Sequence, residues 1–96
     1  MCMFMHSVEW NNAKREVNIL NVGVDFVRAA DIFYGAVAEA EDLRADYGER
    51  RFRALGQVDG QSFVVVYTER GERRRIISAW EVGHDGRRRD QALPTR

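Results

Sequence analysis

Hydrophobic and polar positions change period several times along the chain, and each change marks an expected element. Phe4 to Trp10 alternates, with Phe4, His6, Val8 and Trp10 opposite Met5, Ser7 and Glu9, so the pattern predicts a first strand. Asn11 or Asn12 is placed to cap a helix. Trp10, Ala13, Val17 and Leu20 then recur at spacings of three and four, which predicts an amphipathic helix over Asn11 to Val22 with these residues as its apolar face. Gly23 supplies its left-handed stop, and Asp25 caps a second helix running to Tyr34 on Phe26, Ala29, Ala30 and Phe33.

Beyond Gly35 the period is nearer two. Ala36 to Asp42 reads as an edge strand, Arg44 to Glu49 as a loop, and Arg51 to Gly56 as a half-exposed strand. Asp59-Gly60 is the residue pair a type I′ hairpin favours, and Ser62 to Thr68 is rich enough in Val and aromatic residues for a central strand. Glu69 to Glu72 turns the chain into a last strand, Arg73 to Trp80. Strict alternation there puts Arg74, Ile76, Ser78 and Trp80 on one face and Arg73, Arg75, Ile77 and Ala79 on the other. The adjacent pair Ile76-Ile77 implies that both faces of this strand are covered, which one layer of two helices cannot do. The expected fold is α+β, two N-terminal helices on an antiparallel sheet of four to five strands. One domain spans residues 1–82, and 83–96 form a basic tail.

Composition bounds the function. With 96 residues, 45% of them hydrophobic, there is material for one core, and its thin margin makes partner binding matter to stability. The single cysteine, Cys2, leaves no internal disulfide or Cys-pair metal site, and His6 and His84 are too few and too far apart for a zinc cluster, so no metal or other cofactor is expected. No apolar run is long enough for a membrane span, and the N-terminus lacks the basic start of a cleavable signal, so the expected location is the cytoplasm.

The net charge of zero hides an asymmetry. Residues 1–48 carry 4 basic and 8 acidic side chains, residues 49–96 carry 11 and 7, and of the 15 cations only Lys14 is not arginine. Arginine suits bidentate contact with phosphate. The cations concentrate in three segments that a meander brings side by side: Gly48-Glu49-Arg50-Arg51-Phe52, Tyr67-Thr68-Glu69-Arg70-Gly71, and Arg73 to Trp80. A carboxylate among guanidinium groups on a sheet is a candidate ribonuclease site. Glu49 would be the general base for an RNA 2′-hydroxyl, and arginines would stabilise the phosphorane without a metal. The plainer alternative is cross-strand ion pairing on a solvated face, each pair contributing about 0.2–1 kcal/mol. Arg87-Arg88-Arg89 could grip phosphate or simply be solvated. Trp10 and Trp80 could stack on bases or pack in the core.

The order of these segments resembles the BrnT family, ribonuclease toxins of type II toxin–antitoxin systems with a RelE-like fold. The resemblance rests on Glu9-Trp10-Asn11 with Lys14 and Asn18, Gly23-Val24-Asp25-Phe26 with Ala29, Ala30 and Phe33, Gly48 to Phe52 with Gly56, Val64 to Gly71, and Arg75 to Ala79. It implies a toxin that cuts RNA to inhibit translation and is neutralised by a BrnA-like antitoxin, through which alone it would reach DNA. It implies Glu49, Arg51, Arg70 and Arg75 as catalytic residues, with Arg53, Arg73 and Trp80 as further RNA contacts. The protein would self-associate until the antitoxin binds. Two positions depart from the family pattern: Asn21-Val22 stands where a Lys-His pair is usual, and Trp80-Glu81 where basic residues are common. Their consequence would be weak or atypical cleavage, or a chain kept as an antitoxin-binding partner and co-repressor.

Overall fold

A computed structural model describes residues 8–44 and 48–83. The elements run β1 (Val8–Trp10), α1 (Asn12–Val22), α2 (Phe26–Ala29) continued by a 3-10 turn (Ala30–Tyr34), β2 (Ala38–Glu41), β3 (Phe52–Val58), β4 (Gln61–Arg70) and β5 (Arg73–Val82). The architecture is α+β. Residues 4–7 of the expected first strand, His6, Cys2, His84 and the basic run of the tail lie outside the described residues. No helix among the described residues is long and apolar enough to cross a membrane.

Local signals act as their chemistry dictates. The Asn11 side chain accepts hydrogen bonds from the N–H groups of Ala13 and Lys14, so α1 begins at Asn12. Gly23, at φ +81°, closes the helix by donating to the carbonyls of Asn18 and Ile19. Asp59 and Gly60 both have positive φ, +51° and +82°, as a type I′ turn requires. The turn into β5 is tighter than expected, only Gly71-Glu72 with Gly71 at φ +62°. Glu69 and Arg70 are therefore strand residues.

The five strands are ordered β1-β5-β4-β3-β2. The last four form the expected meander, but β1 pairs with β5 in parallel, Val8 beside Arg74 and Trp10 beside Ile76, so the sheet is mixed. Partners 66 positions apart leave no local turn signal, and the chain passes through both helices and β2, β3 and β4 between them. They follow a strand rather than open the chain, and the second is one α-helical turn tightened into 3-10 geometry.

One face of the sheet carries the core. Phe26, Ala29, Ile32 and Phe33 pack on Ala54, Phe63, Val65, Tyr67, Ile76 and Ala79. Gly56 leaves room for this contact, since a Cβ there would lie 2.8 Å from Ile32 Cβ and 3.0 Å from Val37 Cγ1. The second face is covered in part, as expected, with Val64 and Val66 buried on it, but the adjacency of Ile76 and Ile77 has a further cause. Val66 is opposite Ser78 and Tyr67 opposite Ile76, so Ile77 is the extra residue of a β-bulge. The bulge resets the alternation: Arg74, Ile76 and Ala79 face the helices, and Arg73, Arg75, Ser78 and Trp80 share the opposite face.

The first helix reverses its expected face. Its one buried residue is Asn18, whose amide donates to the Val24 and Ala79 carbonyls at 2.8 and 2.9 Å and whose oxygen accepts from the Ala79 N–H at 3.4 Å. These bonds seat α1 against β5 beyond the end of β1. Val17 and Leu20, expected in the core, are 53% and 83% exposed.

Candidate active site

The register of β4 and β5 gathers the arginines. Thr68 lies opposite Arg75 and Arg70 opposite Arg73, and side chains two apart along a strand share a face. Phe52 pairs with Tyr67 on the helix face, so Arg53 of β3 and Arg51 just before it point to the arginine side. Arg51, Arg70, Arg73 and Arg75 thus project from one end of one sheet face around Thr68. Arg74, between two of them, turns to the helix face, its guanidinium 4.3 Å from the Phe33 ring centre and 3.6 Å from the Glu39 carboxylate.

Two carboxylates flank this cluster. Glu49 holds Arg51 at 3.1 Å. Glu9, brought in by the parallel pairing of β1, accepts from Arg75 at 2.7 Å and lies 3.6 Å from Arg73. The Arg75 hydrogen bond holds the Glu9 carboxyl below its usual range, with the charges of Arg75, Arg73 and Arg70 adding to it and desolvation opposing. Glu9 was not among the expected site residues. Its place depends on a contact 66 positions away in sequence, and no local pattern encodes that.

Arg70 is distinct among the four arginines. It pairs with no carboxylate among the described residues, and it lines a cleft of about 310 Å³ with Glu49, Arg50, Phe52, Thr68 and Glu69. Thr68 is fixed there by donating its hydroxyl to the Arg50 carbonyl at 2.7 Å. Arg50 itself is drawn aside by Glu41 at 3.1 Å and lies over Phe52. The cleft therefore presents one uncommitted guanidinium beside the Glu49–Arg51 pair, a geometry suited to receiving an anion next to a proton acceptor.

The remaining expected contacts are more distant or more enclosed. Trp80 shares the face but pairs with Val64, five residues from Arg75, about 16 Å at the usual strand rise. Arg53 is 14% exposed and turned toward buried Asp42, 4.0 Å away. Asp42 also takes two bonds from Arg44 at 2.8 Å, which with its backbone contact bring its pKa down to about 2. Behind the face, Tyr67 donates to Glu39 at 2.5 Å, and burial together with that carboxylate raises its pKa to about 12. It is a structural hydroxyl. Among the described residues no group of three or more His, Cys, Asp or Glu side chains is placed to hold a metal ion.

No curated protein matches the chain. The family model described as ribonuclease toxin, BrnT, of type II toxin–antitoxin system matches residues 10–83, which include α1, α2 and every strand but the start of β1. A match over most of the chain fixes membership: the protein belongs to the BrnT family of ribonuclease toxins.

Proposed function

We propose that the arginine face is the catalytic surface and that it cleaves RNA without a metal ion. The observation that carries this is the register of β3, β4 and β5, which sets Arg51, Arg70, Arg73 and Arg75 around one end of the sheet with Glu49 at its margin. Glu49 takes the proton of an RNA 2′-hydroxyl, whose oxygen attacks the adjacent phosphorus. The bond to the 5′-oxygen breaks, and that oxygen leaves as an alcohol after protonation by water. The other product is a 2′,3′-cyclic phosphate. Arg70 binds the phosphate first, because capturing it breaks no existing ion pair. Arg51 and Arg75 supply positive charge as the phosphorane forms. Arg73 and Trp80 extend the contact along the strand, one by charge and one by stacking. Arg53, turned to Asp42, contributes least.

In this reading the fold is RelE-like, the protein acts in the cytoplasm, and a BrnA-like antitoxin neutralises it and links it to DNA. The test is RNA cleavage by purified chain. Glu49→Gln and Arg70→Ala should each slow it by about 10²-fold or more, as expected for groups acting in the transition state. Arg28→Ala, a charge removed at the far end of the fold, should leave the rate unchanged. Equal loss in all three variants, or in none, would place the site elsewhere. A wild type that binds antitoxin yet leaves RNA intact would favour a binding partner over an enzyme.

A further inference from the structure

In α1 composition and burial disagree. Val17, Ile19, Leu20 and Val22 are all exposed, within one helix of 11 residues whose single buried side chain is polar. Val17 and Val22 also line a groove of about 390 Å³ between α1 and the β5 bulge, completed by Ala13, Lys14, Ile77 and Ser78 among others. Apolar side chains gathered in a surface groove mark an interaction site more often than scattered single ones do.

We propose that this groove seats an amphipathic helix of the antitoxin. The inference rests on the toxin reading above, and three features define the occupant. The groove sets four aliphatic side chains beside two asparagines, Ser78 and a single cation, so it suits a protein segment with apolar side chains at i, i+3 and i+4 and polar flanks better than a nucleic-acid backbone. Lys14 has no ion-pair partner among the described residues and lies at the rim, where it fits an acidic side chain on the incoming helix. Finally, Ser78 is on the arginine face three residues from Arg75, about 10 Å along the strand. A segment anchored in the groove can therefore continue onto the arginine cluster, and acidic residues there would compete directly with RNA. Apolar anchoring and charge masking would then belong to one chain.

The test compares, by calorimetry, the affinity of the wild type and of an Ala13→Glu/Val17→Glu double variant, both positions on the groove wall, for the product of the adjacent short reading frame. Both side chains are exposed, so the variant is expected to fold, which circular dichroism checks. Affinity should fall about 30-fold or more, the effect of losing a hot spot, while RNA cleavage by the free toxin is unchanged. Lys14→Glu should weaken binding further at low salt than at high salt. Unchanged affinity in the folded double variant overturns the proposal. So does a wild-type dimer that the variant dissolves without loss of antitoxin affinity, which would assign the groove to self-association, or loss of RNA binding alone. A toxin that fails to cut RNA but loses antitoxin in the variant would refute the catalytic reading and leave the groove assignment standing.

Discussion

Asp42 shows how single residues hold the cationic face in shape. It is buried, it receives Arg44 by two bonds, and it is the nearest carboxylate to the enclosed Arg53, whose Nε has no hydrogen-bond partner. Asp42→Asn would keep the shape and leave Arg53 an unpaired charge in a mostly buried site. The expected cost is about 3 kcal/mol, read as a lower urea midpoint. Asp25, joined to Arg15 by two bonds at 2.7 and 2.8 Å, is likewise held at about 2, chiefly by that pair and by the Val27 N–H. Both carboxyl pKa values are lowered by folding from 3.8. Their contribution is therefore complete above the unfolded value and is lost as pH falls through about 2. Urea melts at pH 7 and pH 5 should nearly coincide for these two groups, with stability falling below pH 4. In Asp42→Asn part of that acid-dependent loss should disappear.

Packing at the scale of elements turns on close approach of the 3-10 turn to β3. Gly56 is the contact point, and Gly56→Ala would drive a methyl against Ile32 and Val37. The expected destabilisation is about 1–3 kcal/mol, measurable as a drop in thermal midpoint with little change in cleavage rate at 25 °C. Elements also differ in how visible they are in the sequence. The Asn11 cap, the Gly23 stop and the Asp59-Gly60 turn are legible because each depends on neighbours within four residues. The parallel pairing of β1 and the outward face of α1 are not, because partners more than 60 positions away decide them, and the bulge at Ile77 is set by its register against the neighbouring strand rather than by local spacing. Asn18 illustrates the point. Its spacing gives no hint that it, rather than Val17 or Leu20, is the buried residue, since what holds it is the backbone of Ala79. The site was legible in the same uneven way. The arginine strands and Glu49 stand out as a meander of charged segments, whereas Glu9 depends on the parallel strand.

Taken as a whole molecule, the fold in the proposed reading divides two tasks between two surfaces. One end of the sheet concentrates guanidinium groups that a neutral total charge conceals, and α1 leaves aliphatic side chains beside it for a protein partner. In that reading the arginine face cleaves RNA with the 2′-hydroxyl of the RNA itself as the nucleophile. The most direct measurement uses a short RNA with a mapped cleavage site and the same oligomer carrying a single 2′-deoxy sugar on the 5′ side of that bond, each incubated with purified toxin in EDTA. The account predicts that the all-ribose strand is cut to a 2′,3′-cyclic phosphate end and that the substituted strand stays whole at that bond. Cleavage of the substituted strand there, or cleavage that EDTA abolishes, would contradict it.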